Sequence, residues 1–289
     1  MKSKSKNILI TGVSTGIGYD LAKVFLKNNY LVFGSVRKQE DLDRLSGELG
    51  ENFHPLLFDV TDHRGIDEAA RHLEMELGDA GLGGLINNAG LAVGGPFIDL
   101  DIEDFRYQFE VNVLGLVKVT QAFLPLLGAR ENHATAPGKI IQISSISGKM
   151  GMPFVAPYVG SKHAVEGISD SLRRELLLFG IDVVLIEPGP IKTPIWNKSM
   201  EPMRKFQDSV YQPIIERSQK KFVTPSIKNG LTSAYTAEVI FKEFEKKKSR
   251  ARVVIIAQKF KNWTLPSILP ARLLDRILGK ALGLKSKNE

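Results

Sequence analysis

Tyr158 and Lys162 stand four residues apart in Tyr158-Val159-Gly160-Ser161-Lys162, a spacing that puts both side chains on one face of a helix. A free phenol titrates near pH ~10. A fixed ammonium beside it favours phenolate and brings that value toward the range useful for proton transfer at neutral pH. In oxidation of an alcohol the phenolate would take the hydroxyl proton while hydride leaves the carbon; reduction of a carbonyl runs the reverse. Upstream, Ser145 lies in Ile143-Ser144-Ser145-Ile146-Ser147-Gly148 after a strand-like run, where its hydroxyl can bond a carbonyl oxygen and stabilise developing charge. Capping or turning the chain suits Ser144 and Ser147 better than Ser145. The Tyr-Lys pair alone proves little, because any helix face can carry one.

Hydride chemistry needs a cofactor, and Thr11-Gly12-Val13-Ser14-Thr15-Gly16-Ile17-Gly18 has the make-up of a pyrophosphate cradle. Glycines there permit a tight turn and close approach of a phosphate to backbone N–H groups at a helix N-terminus. The residue ending the second strand decides between nicotinamide cofactors: a carboxylate binds a ribose 2′-hydroxyl, a basic group a 2′-phosphate. Here it is Arg37, in Gly34-Ser35-Val36-Arg37-Lys38, and Arg can hold phosphate bidentately. NADP(H) is therefore favoured, with NAD(H) left open. The chain has no cysteine, and its five histidines show no metal-binding spacing, so no catalytic metal is expected.

The elements that would position these groups alternate regularly. Strand-like runs fall at 7–10, 31–36, 54–58, 84–88, 139–144, 181–186 and 251–257. Helical patterns fall between them, among them 62–77, a long one over 104–127, and 158–179. This order predicts an α/β, Rossmann-type doubly wound parallel sheet of about seven strands with helices on both faces. The runs Ile8–Ile10 and Val183–Ile186 lack polar alternation, as strands buried on both sides do. One domain over 1–289 is expected, with an insertion at 190–230 acting as a substrate lid and an amphipathic extension at 260–289.

Taken together the motifs resemble the short-chain dehydrogenase/reductase family over nearly the whole chain. They are the Gly-rich loop, Asp59-Val60, Asn87-Asn88-Ala89-Gly90, Asn112, Ser145, Tyr158-x-x-x-Lys162 and Pro188-Gly189-Pro190-Ile191-Lys192-Thr193. The resemblance implies a catalytic set of Asn112, Ser145, Tyr158 and Lys162, with Asn112 holding a water in a proton relay with Lys162. It implies cofactor contacts from Gly12, Ser14, Thr15, Gly16, Ile17, Gly18, Arg37, Asp59, Val60, Asn88, Ala89 and Gly90. Tyr158, Lys162, Pro188, Gly189, Ile191 and Thr193 would complete them at the nicotinamide end. Many NADP-using relatives carry a basic residue just before the second motif glycine; this chain has Thr15 there, so cofactor choice rests on Arg37. A homodimer or homotetramer is implied by the family alone.

Met150, Met152, Phe154 and Val155 before Tyr158, with Trp196, Met200, Met203, Phe206, Tyr211, Ile214, Ile215 and Phe222 in the insertion, would line an apolar pocket, about half of them being ordinary core. A small lipophilic ketone, aldehyde or alcohol is the expected substrate, and the long lid loosely resembles the steroid and retinol dehydrogenase branch. Two other readings stay open: a 3-oxoacyl-thioester reductase, and a non-catalytic NADP(H)-sensing protein. The formal net charge of +7 is concentrated at ends and edges, which argues for solvated faces and against nucleic-acid binding. With neither a signal-like stretch nor a membrane-spanning run, a cytoplasmic protein is expected. The basic tail, with Leu273, Leu274, Ile277 and Leu278 on one stripe, could lie on a membrane surface; packing on the body or on another subunit is the favoured expectation.

Overall fold

The computed structural model of the chain describes residues 3–131, 133–196 and 205–284. Met200 and Met203 of the expected pocket, and the side chain of Phe222, lie outside the described residues. The alternation of the sequence builds β1 (Asn7–Ile10), α1 (Gly16–Lys27), β2 (Leu31–Val36), α2 (Gln39–Leu49), β3 (Phe53–Leu57) and α3 (His63–Leu77). It continues through β4 (Gly84–Asn87), α4 (Ile102–Phe109), α5 (Gly115–Phe123), β5 (Lys139–Ile143), α6 (Ala156–Glu175) and β6 (Asp182–Pro188). A short β7 (Ile191–Lys192) and β8 (Leu231–Thr232), then β9 (Arg252–Ile255), complete the strands.

Seven strands form one parallel sheet in the order β3-β2-β1-β4-β5-β6-β9. The chain order reverses between β1 and β4, which opens a crevice at their carboxyl ends, the place where such sheets take ligands. The apolar runs of β1, β4, β5 and β6 are buried because helices cover both faces. On one face Ile8, Ile10, Ile141, Val184 and Ile186 pack against α1, α2 and the helix Ser233–Phe244. Edge-to-face aromatic contacts join Phe25 to Phe244 and Phe241 there, with centroids 5.1 and 5.0 Å apart. On the other face Leu9, Leu85, Ile140, Val183 and Leu185 meet α3, α5 and α6.

Several boundaries differ from the sequence reading. The third strand is displaced by one residue, to Phe53–Leu57, as pairing with β2 fixes its register. β6 runs on to Pro188 because β9 pairs with it as far as Pro188↔Ile255. The long helix expected over 104–127 is interrupted by a π-helical turn at Glu110–Leu114, which separates α4 from α5. The insertion is closed at its base, where β7 pairs in parallel with β8.

Candidate active site

The Gly-rich loop joins β1 to α1 in a conformation that its glycines dictate. Gly12 and Gly16 adopt φ of +70° and +64°, a region costly for residues with a Cβ. A side chain at Gly18 would stand 2.2 Å from the Gly12 carbonyl oxygen. Thr15 begins α1 without a side-chain cap, so the first N–H groups of the helix are free to meet an anion. The loop is fixed from outside: the Ser35 hydroxyl accepts from Gly12 N–H at 3.0 Å, and Asn88 Nδ2 donates to the Thr11 and Gly12 carbonyls at 2.9 and 3.0 Å. Thr11 Oγ1 accepts from the N–H groups of Asn88 and Ala89, both at 3.0 Å. Thr11, which the motif contains without a role, and Ser35, which it does not contain, are positioning residues. Their hydroxyls at the ends of adjoining strands were the available signal.

Across the crevice, a Cβ on Gly16 would touch Thr193 Cγ2 at 3.2 Å, which brings the segment after β6 over the phosphate loop. Gly189 N–H bonds the Ile255 carbonyl at 2.9 Å, and Ile191 is buried in β7. Arg37 follows β2 with its side chain largely exposed and its Nη1 a loose 3.6 Å from Asp59 Oδ2. Asp59 also accepts from the Thr61 N–H and hydroxyl at 2.9 Å each. Ser14, Ile17, Val60, Ala89 and Gly90 lie on the same loops. These loops form a cradle whose floor is backbone N–H and whose crowding excludes side chains, so they fit a dinucleotide.

Beside the cradle, α6 begins two residues before Tyr158, which is partly buried. Desolvation raises its phenol above the ordinary value, against a hydrogen bond with Ser145 that lowers it. The lowering expected from Lys162 is not what the structure shows: burial raises the phenol, and the group that acts against this is Ser145. Lys162 is buried, and desolvation brings its ammonium down to about 8, while Glu166 one turn away acts to raise it. Lys162 Nζ donates to the Ile143 carbonyl at 2.8 Å and stands 5.7 Å from the Tyr158 ring centre. Ser145 Oγ accepts from Ser147 N–H at 3.1 Å, so the cap falls on Ser145 itself, whereas Ser144 Oγ makes no hydrogen bond.

Asn112 sits in the π-helical turn, and its buried side chain is fully engaged. Oδ1 accepts from Leu91 N–H at 2.9 Å, while Nδ2 donates to the Leu91 carbonyl and to Ser161 Oγ at 3.0 and 3.1 Å. Gln108 holds the same loop, accepting from Val93 N–H at 2.7 Å and donating to the Leu91 carbonyl at 2.9 Å. π-turns of this kind often mark functional positions in helices. Gln108 went unread in the sequence; two amides four residues apart on an apolar face were the signal.

Behind Lys162 lies a buried charge cluster that no motif announced. Arg252 Nε reaches Glu166 at 2.9 Å and Glu187 at 3.4 Å, and its Nη2 reaches Asp170 at 2.8 Å. Burial, then the neighbouring Glu166, pushes Glu187 up to about 7. In the segment before α6, Phe154 takes a left-handed φ of +67° and meets Tyr211 edge-on at 5.7 Å. Its carbonyl accepts from Gly95 N–H at 2.8 Å, and buried Phe206 packs so closely that a Cβ on Gly95 would meet it at 2.5 Å. Ile215 is buried as well, Trp196 donates to the Ile191 carbonyl at 2.7 Å, and Met152 is exposed.

The geometry agrees with what known proteins show. The family profile described as short chain dehydrogenase matches residues 6–204. An NADPH-dependent 3-dehydrocapnine reductase from Ornithobacterium rhinotracheale is 43% identical over 274 residues, covering 95% of this chain and 96% of the relative. Dehydrogenase/reductase SDR family member 9 of Bos taurus is 42% identical over 189 residues, 65% of this chain and 57% of that protein. Among solved structures, the closed form of a serine dehydrogenase complexed with NADP+ superposes with a TM-score of 0.72 at 26% identity, covering 87% of this chain and 94% of that one. The chain therefore belongs to the short-chain dehydrogenase family and is an NAD(P)-dependent oxidoreductase.

Proposed function

We propose that the protein uses NADPH to reduce the carbonyl of a lipophilic ketone, with Tyr158 giving the proton. One observation carries this reading: the Tyr158 phenol, kept neutral by burial, stands at the carboxyl edge of the sheet one helical turn from the buried Lys162, whose Nζ lies 5.7 Å from the phenol ring centre. A neutral phenol is in the form that reduction requires.

The bound nicotinamide supplies the hydride. Tyr158 donates its hydroxyl proton to the carbonyl oxygen as charge builds there, and the Ser145 hydroxyl is the second donor to that oxygen. Lys162, with a pKa of about 8, stabilises the resulting phenolate and restores its proton. Since the side chain of Asn112 is spent on Leu91 and Ser161, its part in the proton path falls to its backbone carbonyl and a water between it and Lys162.

Two observations support NADPH. Arg37 is exposed and only loosely held by Asp59, so it can turn to a 2′-phosphate at little cost. The Ornithobacterium relative is named for NADPH and for reduction, and the serine dehydrogenase structure holds NADP+. The apolar packing of Phe154 with Tyr211, with buried Phe206 and Ile215 in the same insertion, supports a lipophilic substrate.

NADPH oxidation across a series of ketones of rising chain length tests the reading. The expected kcat/KM rises up to about fourfold per methylene buried in the pocket. Turnover confined to small polar sugars, or to acetoacetyl thioesters, would overturn it.

A further inference from the structure

Beyond β9 the chain forms a π-helical turn (Phe260–Thr264), a short helix (Leu265–Ile268) and a longer helix (Ala271–Leu282). At 100° per residue, Leu273, Leu274, Ile277, Leu278, Ala281 and Leu282 occupy one half of the longer helix. The favoured expectation, that this stripe packs on the body, holds only for part of it. Leu282 is buried and Leu274 and Leu278 are partly so, and the end of the helix rests against Arg217 of the helix Gln212–Ser218. Leu273 and Ile277 remain 43% and 48% exposed. Upstream in the same segment Phe260, Leu265 and Ile268 are exposed as well, the first and last of these 71% and 70%.

The charges beside this apolar edge are of one sign. Arg272, Arg276 and Lys280 recur every fourth residue, all exposed, next to Leu273 and Ile277 on the helical circumference. Lys259 and Lys261 flank Phe260 in the same way. Against these five cations the segment 259–284 has a single acid, Asp275, 3.6 Å from Arg272. Outward apolar side chains bordered by a basic row are the make-up of a helix lying in a bilayer interface.

We propose that the segment 259–284 docks the protein on an anionic lipid surface. Phe260, Ile268, Leu273 and Ile277 enter the boundary between headgroups and acyl chains, and the five cations meet lipid phosphates. A second copy of the chain fits this face poorly, because a two-fold contact would set the row Arg272–Arg276–Lys280 against itself. Among the described residues no helix is long and apolar enough to cross a membrane, so the segment lies on the surface. The contact with the helix Gln212–Ser218 ties the docked segment to the insertion over the substrate site. Docking goes beyond the proposed ketone reduction and is measured without substrate, so either can fail alone.

The test is co-sedimentation of the full chain with sucrose-loaded vesicles of phosphatidylcholine alone or mixed equally with phosphatidylglycerol. Binding is expected to the anionic vesicles only, and to weaken as salt is raised. Reversing two charges, Arg272→Glu with Arg276→Glu, should weaken it by at least ~25-fold, on the order of fivefold for each cation lost. Leu273→Ser with Ile277→Ser should also release the protein, while circular dichroism and NADPH binding stay as in the parent chain. No retention by anionic vesicles, or equal retention of the charge-reversed variant, overturns the proposal. So does sedimentation velocity showing that the serine variant splits a dimer, which would assign the face to a second copy.

Discussion

The cofactor half of the crevice and its substrate half are built by different means. In the first, the backbone sets the shape: Gly12 and Gly16 lie at positive φ, Gly18 leaves room for a carbonyl, and Thr11, Ser35 and Asn88 clamp main-chain atoms. In the second, interlocking side chains set it, with Phe206 on Gly95 and Phe154 on Tyr211. A shape made by backbone tolerates few residue types at fixed positions, whereas an apolar wall can be assembled from many.

If that division is real, chemistry and cofactor binding should separate on substitution. Tyr158→Phe removes the transferable proton and leaves the glycine cradle intact. Its kcat should fall by at least ~10²-fold, the lower range for losing an acid–base group. NADPH affinity, followed by fluorescence titration, should stay within about twofold of the parent chain. Near-normal turnover would sink the role given to Tyr158; a parallel collapse of NADPH binding would show that the two halves are not separable.

A smaller effect is expected at Arg37, the side chain proposed to meet the 2′-phosphate. Arg37→Ala should raise KM for NADPH by about 10- to 100-fold, as loss of a charged hydrogen bond does, and leave KM for NADH nearly unchanged. Equal losses for both cofactors would mean that Arg37 serves the fold through Asp59 and does not recognise the phosphate.

The same division explains what could be read from the sequence. Spacing singled out the glycine loop and the Tyr158–Lys162 pair, whereas Asn88 entered only through the family resemblance. The π-helical turn was not legible, because Phe109, Val113 and Leu116 keep an apolar stripe that a continuous helix would also show. The phenol was expected to be acidified by Lys162; the desolvation that raises it depends on packing that no local motif encodes. The cap, which the sequence reading gave to Ser144 and Ser147, falls on Ser145 itself. In the tail, amphipathic spacing was visible, but which half of the stripe the body covers was not.

The smallest expected effect lies behind α6, at a charge cluster belonging to neither half. Glu187 faces Glu166, Arg252, Lys149 and Lys259, and burial together with the Glu166 charge lifts it from 4.5 to about 7. A carboxyl whose folded value is raised holds its proton more tightly in the fold. Its contribution to stability is thus complete below about 4.5 and is lost as pH rises through about 7. Lys162 works in a separate window with the opposite sense: lowered from 10.5 to about 8, it favours the fold increasingly as pH rises from about 8 toward 10.5. The parent chain should therefore lose a few degrees of Tm between about pH 5 and 7.5, the scale of roughly one kcal/mol in a domain this size. Glu187→Gln keeps the shape and cannot ionise, so its Tm should be flatter across that interval, with kcat at pH 7 changed by less than about threefold. An unaltered Tm profile would remove Glu187 as the titrating group. A large fall in kcat would instead join the cluster to Lys162 through Glu166, and make the back of α6 part of the catalytic half.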